Sequence, residues 1–226
     1  VGGTQVNRTV IASILRPHQG VVAADTGHIA AHETGAIENS GHKVLTVPNT
    51  DGKIAAAQVE ELCRAHYADA SFEHTVQPGM VYLSQPTECG TLYTRAELAA
   101  MQIVCQKYGL PLYVDGARLG YALATPENDV TLANLAELAD LFYIGGTKCG
   151  AMFGEALVIA NPVYQKDFRY MINQRGALLA KGRLLGIQFD TLFAENRYVD
   201  ICRQAVAQAV ALREAFRGAG IPLFGQ

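Results

Sequence analysis

The sequence lacks the features that would indicate a membrane or nucleic acid as a partner. No apolar run reaches the length of a membrane-spanning helix, and no charged segment precedes an apolar core at the start, so neither a spanning segment nor a signal peptide is predicted. A formal net charge of -3 gives no electrostatic reason to expect binding to nucleic acid or to a membrane surface. Small polar molecules are therefore the expected partners.

The cysteines lack any pairing or metal-binding pattern. All five are scattered, at positions 63, 89, 105, 149 and 202, with no CxxC pair and no histidine at ligand spacing. Such cysteines are typical of reduced thiols in a cytosolic protein. We therefore expect a cytoplasmic location and no bound metal.

The chain has 226 residues, half of them hydrophobic, which is enough for one large domain with a sizeable core. Short apolar strands alternate with amphipathic helical segments, a pattern that predicts an α/β fold of three αβα layers around a mostly parallel sheet. We expect residues 1–183 to form this large domain and residues 184–226 to be a helical connection toward a small C-terminal domain. Because the chain does not begin with Met and residues 221–224 suggest the start of another strand, we expect the central part of a longer polypeptide.

Two polar side chains follow apolar strands in the second half of this domain. Residues 110–114 lead to Asp115, and residues 141–144 lead to a glycine-rich loop that carries Lys148. Because the carboxyl ends of parallel strands open into a shared crevice, Asp115 and Lys148 can face one bound molecule. Pyridoxal 5'-phosphate (PLP) needs both groups, a lysine that holds its aldehyde as a Schiff base and an acid that keeps its pyridine nitrogen protonated. Taken alone, either residue could instead be a helix cap or a solvated loop residue.

Two other stretches could bind an anion. Gly3 and Thr4 stand at the start of a helical pattern, where free backbone N–H groups and the helix dipole can hold a phosphate, although plain capping would look the same. Residues 166–183 form a basic run that ends at Arg183. This run could meet a phosphate or a carboxylate, or it could be a solvated linker.

Two strand ends supply further candidates. His28 lies just past the strand at residues 21–24, where its imidazole could lie flat against a planar cofactor, and we expect a helix here that also carries His32 and Glu33. Glu88 follows another strand end and could be a base or a hydrogen-bond acceptor near the substrate, or an exposed loop residue. A lone histidine after a strand can equally be a cap or a surface residue.

The candidates combine into one pattern, which consists of Gly3, Thr4, His28, Asp115, Arg118 and Lys148. This pattern resembles the PLP-dependent threonine aldolase and β-eliminating lyase family, which has the aspartate-aminotransferase fold, fold type I. The resemblance runs from the start of the chain to about residue 183. It implies that Lys148 is the Schiff-base lysine, that Asp115 partners the pyridine nitrogen and that His28 stacks on the ring.

The resemblance also implies roles for the remaining candidates. Gly3 and Thr4 would bind the cofactor phosphate, and Arg118 would lie by the 3'-oxygen of the cofactor and the substrate carboxylate. Arg183 resembles an arginine in the later basic segment of the family. Glu88 marks a departure, because aldolases of the family commonly have a histidine there that is proposed to handle the substrate hydroxyl. Glu88 is thus a candidate catalytic base in place of that histidine.

The resemblance implies an enzyme, a PLP-dependent carbon–carbon lyase. The expected reaction is cleavage of L-threonine or another β-hydroxy-α-amino acid to glycine and an aldehyde, in a homodimer or homotetramer. A β-eliminating lyase or an aminotransferase is the first alternative, and a catalytically idle PLP-fold binding module is the second. Intact Asp115 and Lys148 argue against the idle module. A Rossmann dehydrogenase is disfavoured because no GxGxxG motif follows a strand with an acidic residue downstream.

Overall fold

A six-stranded sheet forms the middle layer of the computed structural model, which describes residues 1–223. Its strands are β1 (Gln19–Ala24), β2 (Val44–Val47), β3 (Gln77–Ser84), β4 (Leu112–Asp115), β5 (Leu141–Gly145) and β6 (Glu155–Ile159). Their order across the sheet is β2-β1-β3-β4-β5-β6. The first five strands are parallel, and β6 pairs antiparallel with β5. The predicted α/β fold with a mostly parallel sheet is confirmed.

Helices cover both faces of the sheet. They are α1 (Gly3–Ile14), α2 (His28–Ala31), α3 (Ala56–Ala68), α4 (Arg95–Tyr108), α5 (Leu119–Ala124), α6 (Leu132–Leu138), α7 (Phe168–Gln174), α8 (Arg183–Phe193) and α9 (Arg197–Gly218). Because alternate residues of a strand face opposite layers, the core has two halves. Helices α1, α2 and α7 contribute to one half, and α3 to α6, α8 and α9 contribute to the other.

Local sequence signals explain where helix α4 begins and ends. The hydroxyl of Thr94 accepts the backbone N–H of Glu97 at 3.2 Å, and the Glu97 carboxylate accepts the backbone N–H of Thr94 at 2.7 Å. This capping box satisfies two N–H groups that the helix leaves free. Gly109 ends the helix with a φ of 66°, a left-handed conformation that glycine adopts without a Cβ clash. The helix therefore begins and ends where its sequence carries these capping signals.

The last helices pack against the carboxyl end of β5. The hydroxyl of Tyr198 accepts the backbone N–H of Gly120 at 3.1 Å and donates to the carbonyl of Gly145 at 2.8 Å. Cys202, one turn further along α9, is also buried. The boundary at residue 183 between the large domain and the helical connection stays a prediction.

Three expectations from the sequence concern the rest of the described chain. Residues 221–223 have no regular secondary structure, and Phe224, which completes the predicted strand start, lies outside the described residues. Within residues 1–223, no helix is long and apolar enough to cross a membrane. The same residues contain no cluster of three or more His, Cys, Asp or Glu side chains that could hold a metal ion.

Candidate active site

Four predicted site residues lie at the carboxyl ends of four adjacent strands. His28 follows β1, Glu88 follows β3, Asp115 ends β4 and Lys148 follows β5. These strands are consecutive neighbours in the sheet and all are parallel. The topology therefore assembles these residues along one edge of the sheet, where α/β proteins bind ligands.

Asp115 is a buried carboxylate whose two oxygens both accept hydrogen bonds. One oxygen accepts the hydroxyl of Tyr143 at 2.5 Å and the N–H of Ala117 at 2.9 Å. The other accepts the hydroxyl of Tyr82 and the side-chain amide of Asn7, the latter at 3.0 Å. Burial raises the pKa of both tyrosines, so their hydroxyls stay protonated and act as donors. The carboxylate is thereby fixed in position at the end of β4.

His28 is linked to Asp115 through two further side chains. Its Nδ1 lies 2.9 Å from the carboxylate oxygen Oε1 of Glu33, and the side-chain amide of Asn7 donates to the same oxygen at 2.8 Å. The hydrogen bond to Glu33 is the main cause that raises the pKa of His28, and partial burial opposes it. The charge of Asp115 also raises this pKa, whereas the charge of Lys148 lowers it. The charges of Asp115 and Lys148 therefore both affect the protonation of His28.

The segment after His28 differs from the predicted helix. Helix α2 ends at Ala31, so the prediction of a helix that carries His32 and Glu33 was wrong. Thr34 has a φ of 54° and Gly35 a φ of 68°, a left-handed pair that reverses the chain. Because of this turn, Glu33 points inward and is 5% exposed instead of lying on a helix surface.

Glu88 is half-buried and lies beside His28. Its Oε1 accepts the hydroxyl of Ser84 at 2.7 Å and the backbone N–H of His28 at 3.1 Å. Its Oε2 makes no hydrogen bond to any of residues 1–223. Glu88 and Arg118 both line a cavity of about 470 Å³ whose opposite wall is formed by α9. Glu88 therefore lines this cavity and keeps one carboxylate oxygen without a hydrogen-bond partner within residues 1–223.

Two glycines let the ends of β4 and β5 lie against each other. A Cβ atom on Gly116 would lie 1.9 Å from the carbonyl oxygen of Tyr143, and one on Gly145 would lie 2.2 Å from the carbonyl oxygen of Ala117. Only glycine allows this approach of two backbones. Lys148, which is exposed, follows three residues after Gly145. The same contact therefore sets the position of Asp115 relative to the loop of Lys148.

The remaining predicted site residues are Gly3, Thr4, Arg118 and Arg183. Gly3 begins α1, and a Cβ there would lie 2.8 Å from the hydroxyl of Tyr143, so the first turn of the helix lies next to the Asp115 network. Thr4 is exposed in that turn. Arg118 is half-buried and makes no ion pair within the described part of the chain. Arg183 is exposed at the start of α8 with no described contact to the other site residues, so its role stays a prediction.

The sequence patterns missed the residues that hold Asp115 and His28 in place, namely Asn7, Glu33, Tyr82, Tyr113 and Tyr143. The signal for Asn7 was a polar side chain on the apolar stripe of α1, which predicts a buried hydrogen-bond partner. The signal for the tyrosines was their spacing. Tyr113 lies two residues before Asp115, so both side chains face the same layer, and Tyr82 is its neighbour on β3.

Comparisons with known proteins identify the family of the chain. The family model of the beta-eliminating lyases matches residues 1–224. A low specificity L-threonine aldolase from a Pseudomonas species is 30% identical over 221 residues, which cover 92% of this chain and 62% of that protein. The enzyme of the same name from Pseudomonas aeruginosa is 30% identical over 217 residues, with the same coverage. The chain thus spans less than two thirds of the length of these relatives.

Solved structures show the same similarity in three dimensions. A threonine aldolase from Leishmania major matches with a TM-score of 0.94 and 48% identity, over 99% of this chain and 64% of that chain. An aspartate aminotransferase from Thermus thermophilus matches with a TM-score of 0.73 at 16% identity, over 97% of this chain and 56% of that chain, and shares the fold. The expected fold type I architecture is confirmed, and the chain belongs to the beta-eliminating lyase family.

Proposed function

We propose that the chain is the cofactor-binding part of a PLP-dependent enzyme that cleaves L-threonine and related β-hydroxy-α-amino acids to glycine and an aldehyde. The observation that carries this proposal is the buried carboxylate of Asp115, held by three side chains at the strand end next to the loop of Lys148. The relatives named low specificity L-threonine aldolase support the reaction and the substrate. The activity belongs to the full-length protein, of which this chain spans a part.

The residues present fit PLP. Asp115 is 4% exposed and makes no ion pair within residues 1–223, so this buried carboxylate has hydrogen-bond donors but no cation beside it. Burying a carboxylate without a cation is unfavourable, and the protonated pyridine nitrogen of PLP would supply one. The first turn of α1 has backbone N–H groups without helical acceptors, which suits a phosphate at Gly3 and Thr4. Lys148 would anchor the cofactor through its amine, and His28 would face the ring.

Each residue of the site has a distinct task in the proposed reaction. When bound, PLP would draw electrons away from the Cα–Cβ bond of the amino acid. Arg118 would bind the substrate carboxylate as a paired donor, since its guanidinium has no partner within residues 1–223. Glu88 Oε2 would accept the proton of the β-hydroxyl, because Oε1 is already used by Ser84 and His28. The raised pKa of His28 favours an imidazolium, whose ring nitrogens are both protonated and cannot accept this proton, so Glu88 is the proposed base.

The test is a spectrum and a product assay on the full-length protein. PLP is added, the visible absorbance of the lysine-bound cofactor is recorded, and L-threonine follows, with glycine and acetaldehyde measured in the same sample. We expect the absorbance band and both products in equal amounts. The band without these products would reject threonine cleavage and direct the assay to β-elimination and transamination substrates. The absence of any band would reject the cofactor site.

A pair of lysine variants tests the assignment of Lys148. The Lys148→Ala variant should lose the visible band and the activity, because it lacks the side-chain amine that follows β5. Lys43→Ala is the matched control. Lys43 is exposed and precedes β2, so it lies at the amino end of a strand, away from the carboxyl ends that carry the site. A Lys148→Ala protein that keeps the wild-type spectrum would contradict the assignment.

We also propose that the full-length enzyme is a homodimer or homotetramer. The support within the described residues is a group of exposed apolar side chains on α8 and the segment before it, namely Leu178, Leu179, Leu184, Ile187 and Phe193. Clustered apolar side chains on a surface are typical of a protein interface. Light scattering coupled to size exclusion should give two or four copies per particle, and a monomer would contradict this proposal.

A further inference from the structure

Glu33 is a buried carboxylate that stability alone does not explain. Its side chain is 0% exposed, and its Oε2 has no hydrogen-bond partner within residues 1–223. An unpaired buried carboxylate oxygen is unfavourable, and native structures contain few such atoms. Buried polar groups that break this rule are expected at functional sites. The position of Glu33 between His28 and the Asp115 network therefore calls for a functional reason.

The hydrogen bonds around Asn7 define how Glu33 is connected. The hydroxyl of Tyr113 donates to Asn7 Oδ1 at 2.7 Å, so the NH2 group of this amide must face the other way. That NH2 group donates to Glu33 Oε1 at 2.8 Å and to Asp115 Oδ2 at 3.0 Å. Its two hydrogens thus join two buried carboxylates. His28 Nδ1 completes the chain at 2.9 Å from Glu33 Oε1.

We propose that Glu33 is a positioning residue that fixes the orientation of the His28 imidazole, and that Asn7 joins this pair to Asp115 in one hydrogen-bonded unit. The task of His28 toward PLP rests on the proposed function, whereas the hydrogen-bonded unit is a property of the chain itself. A carboxylate that holds Nδ1–H selects one tautomer and one ring orientation and favours the charged ring. Asn7 transmits any movement of this pair to the carboxylate that would face the pyridine nitrogen.

The groups around His28 determine its charge. Glu33 raises the pKa of His28 through the hydrogen bond, and the more distant Asp115 raises it through its charge. Lys148 lowers it, and the ring of His32 lies 5.7 Å away, centroid to centroid. Glu88 contacts only the backbone N–H of His28. Glu33 therefore accounts for most of the preference for an imidazolium, and its removal should be visible in the titration of this one histidine.

The first test is a proton NMR titration of His28 in the full-length protein without cofactor. The resonance is assigned by its loss in a His28→Gln variant. We expect the pKa of His28 to lie above its ordinary value in the wild type and to fall in Glu33→Gln. Glu38→Gln is the matched control, because Glu38 is exposed five residues away and should leave the titration unchanged. An unchanged titration in Glu33→Gln would overturn the proposal.

The second test separates positioning from a merely structural role. Glu33→Gln in the holoenzyme should lower kcat by about 10- to 100-fold, by analogy with the loss found when a partner that orients a metal-bound histidine is removed, with little change in KM. Glu33→Asp should restore part of the loss and part of the pKa shift of His28. A merely structural role predicts a lower melting temperature with wild-type kcat and pH profile in the folded protein. If the wild type fails to cleave threonine, the proposed function fails, and the titration without cofactor still decides on Glu33.

The third test concerns the link through Asn7 and uses PLP affinity. Glu33→Gln should weaken PLP binding by about two- to tenfold, within the coupling range of contacting residues. In an Asn7→Ala background the same change should weaken PLP binding less, because the connection to Asp115 is already broken and only the effect through His28 remains. Effects that simply add in the double variant would show that Glu33 and Asp115 act independently, against the proposal.

Discussion

Replacing Gly116 by alanine tests whether the contact between the ends of β4 and β5 holds the site together. The added Cβ would lie 1.9 Å from the carbonyl oxygen of Tyr143, whereas ordinary contacts begin at 3.4 Å. The obstacle is backbone, so no side-chain rotation can relieve it. The two strand ends must therefore move apart by about 1.5 Å, a large displacement for a close-packed interior.

The expected loss of stability combines two effects of this displacement. Overpacking of a well-packed region costs about 1–3 kcal/mol. The hydrogen bond from the backbone N–H of Gly145 to the carbonyl of Gly116, at 2.9 Å, would also be stretched, and such a bond contributes about 0.5–1.5 kcal/mol. We therefore expect Gly116→Ala to lower the free energy of unfolding by about 2–4 kcal/mol. Because Asp115 precedes the glycine, PLP affinity should fall as well.

Urea unfolding followed by far-UV circular dichroism measures this loss, since the sequence has no tryptophan to report by fluorescence. Gly186→Ala is the matched control, because it lies inside α8 and a Cβ there would meet nothing within 4 Å. Alanine should stabilise that helix by up to about 1 kcal/mol. If Gly116→Ala stays within about 0.5 kcal/mol of the wild type, the range of an ordinary surface substitution, the reasoning about the strand contact is refuted.

Three further predictions concern capping, pH and thiol reactivity. Thr94→Ala removes the acceptor for the N–H of Glu97 and should lower the free energy of unfolding by about 1 kcal/mol in the same urea assay. The raised pKa of His28 means that its pairing with Glu33 stabilises the folded state fully below about pH 6.5 and loses this effect as pH rises through the folded pKa. The difference in unfolding free energy between wild type and Glu33→Gln should therefore shrink as the pH rises above about 6.5, and a constant difference would contradict this prediction. Cys89, the exposed cysteine among the five, should react with iodoacetamide first, as peptide mass spectrometry can determine.

The strand ends could be predicted from the sequence because their signals are local. Apolar runs followed by glycine or polar residues placed Asp115 and Lys148 after strands, and the alternation with helices predicted that these strands are parallel. Parallel strands bring their carboxyl ends to one edge whatever their order. His28 and Glu88 could therefore be assigned to that edge before the order of the strands was known.

The contacts between these residues could not be predicted, because they depend on strand order and on turn geometry. Tyr82 donates to Asp115 only because β3 and β4 are neighbours, although their residues are about thirty positions apart in the chain. Glu33 faces inward because Thr34 adopts a left-handed conformation. The spacing of apolar residues in the sequence does not indicate such a conformation. Asn7 comes from a helix at the start of the chain. In each case the contact of the side chain is determined by the tertiary structure and not by the local sequence pattern.

The charges buried at the strand ends restrict which charged groups a ligand of this site can carry. Asp115 and Glu33 are two buried carboxylates that share the amide of Asn7. His28, with its raised pKa, can neutralise one of them. The other has hydrogen-bond donors but no cation beside it within residues 1–223, so a neutral ring would leave one buried negative charge uncompensated. A ligand with a cationic ring nitrogen at Asp115 and an anionic group at the start of α1 balances both ends of the site, and PLP carries both groups.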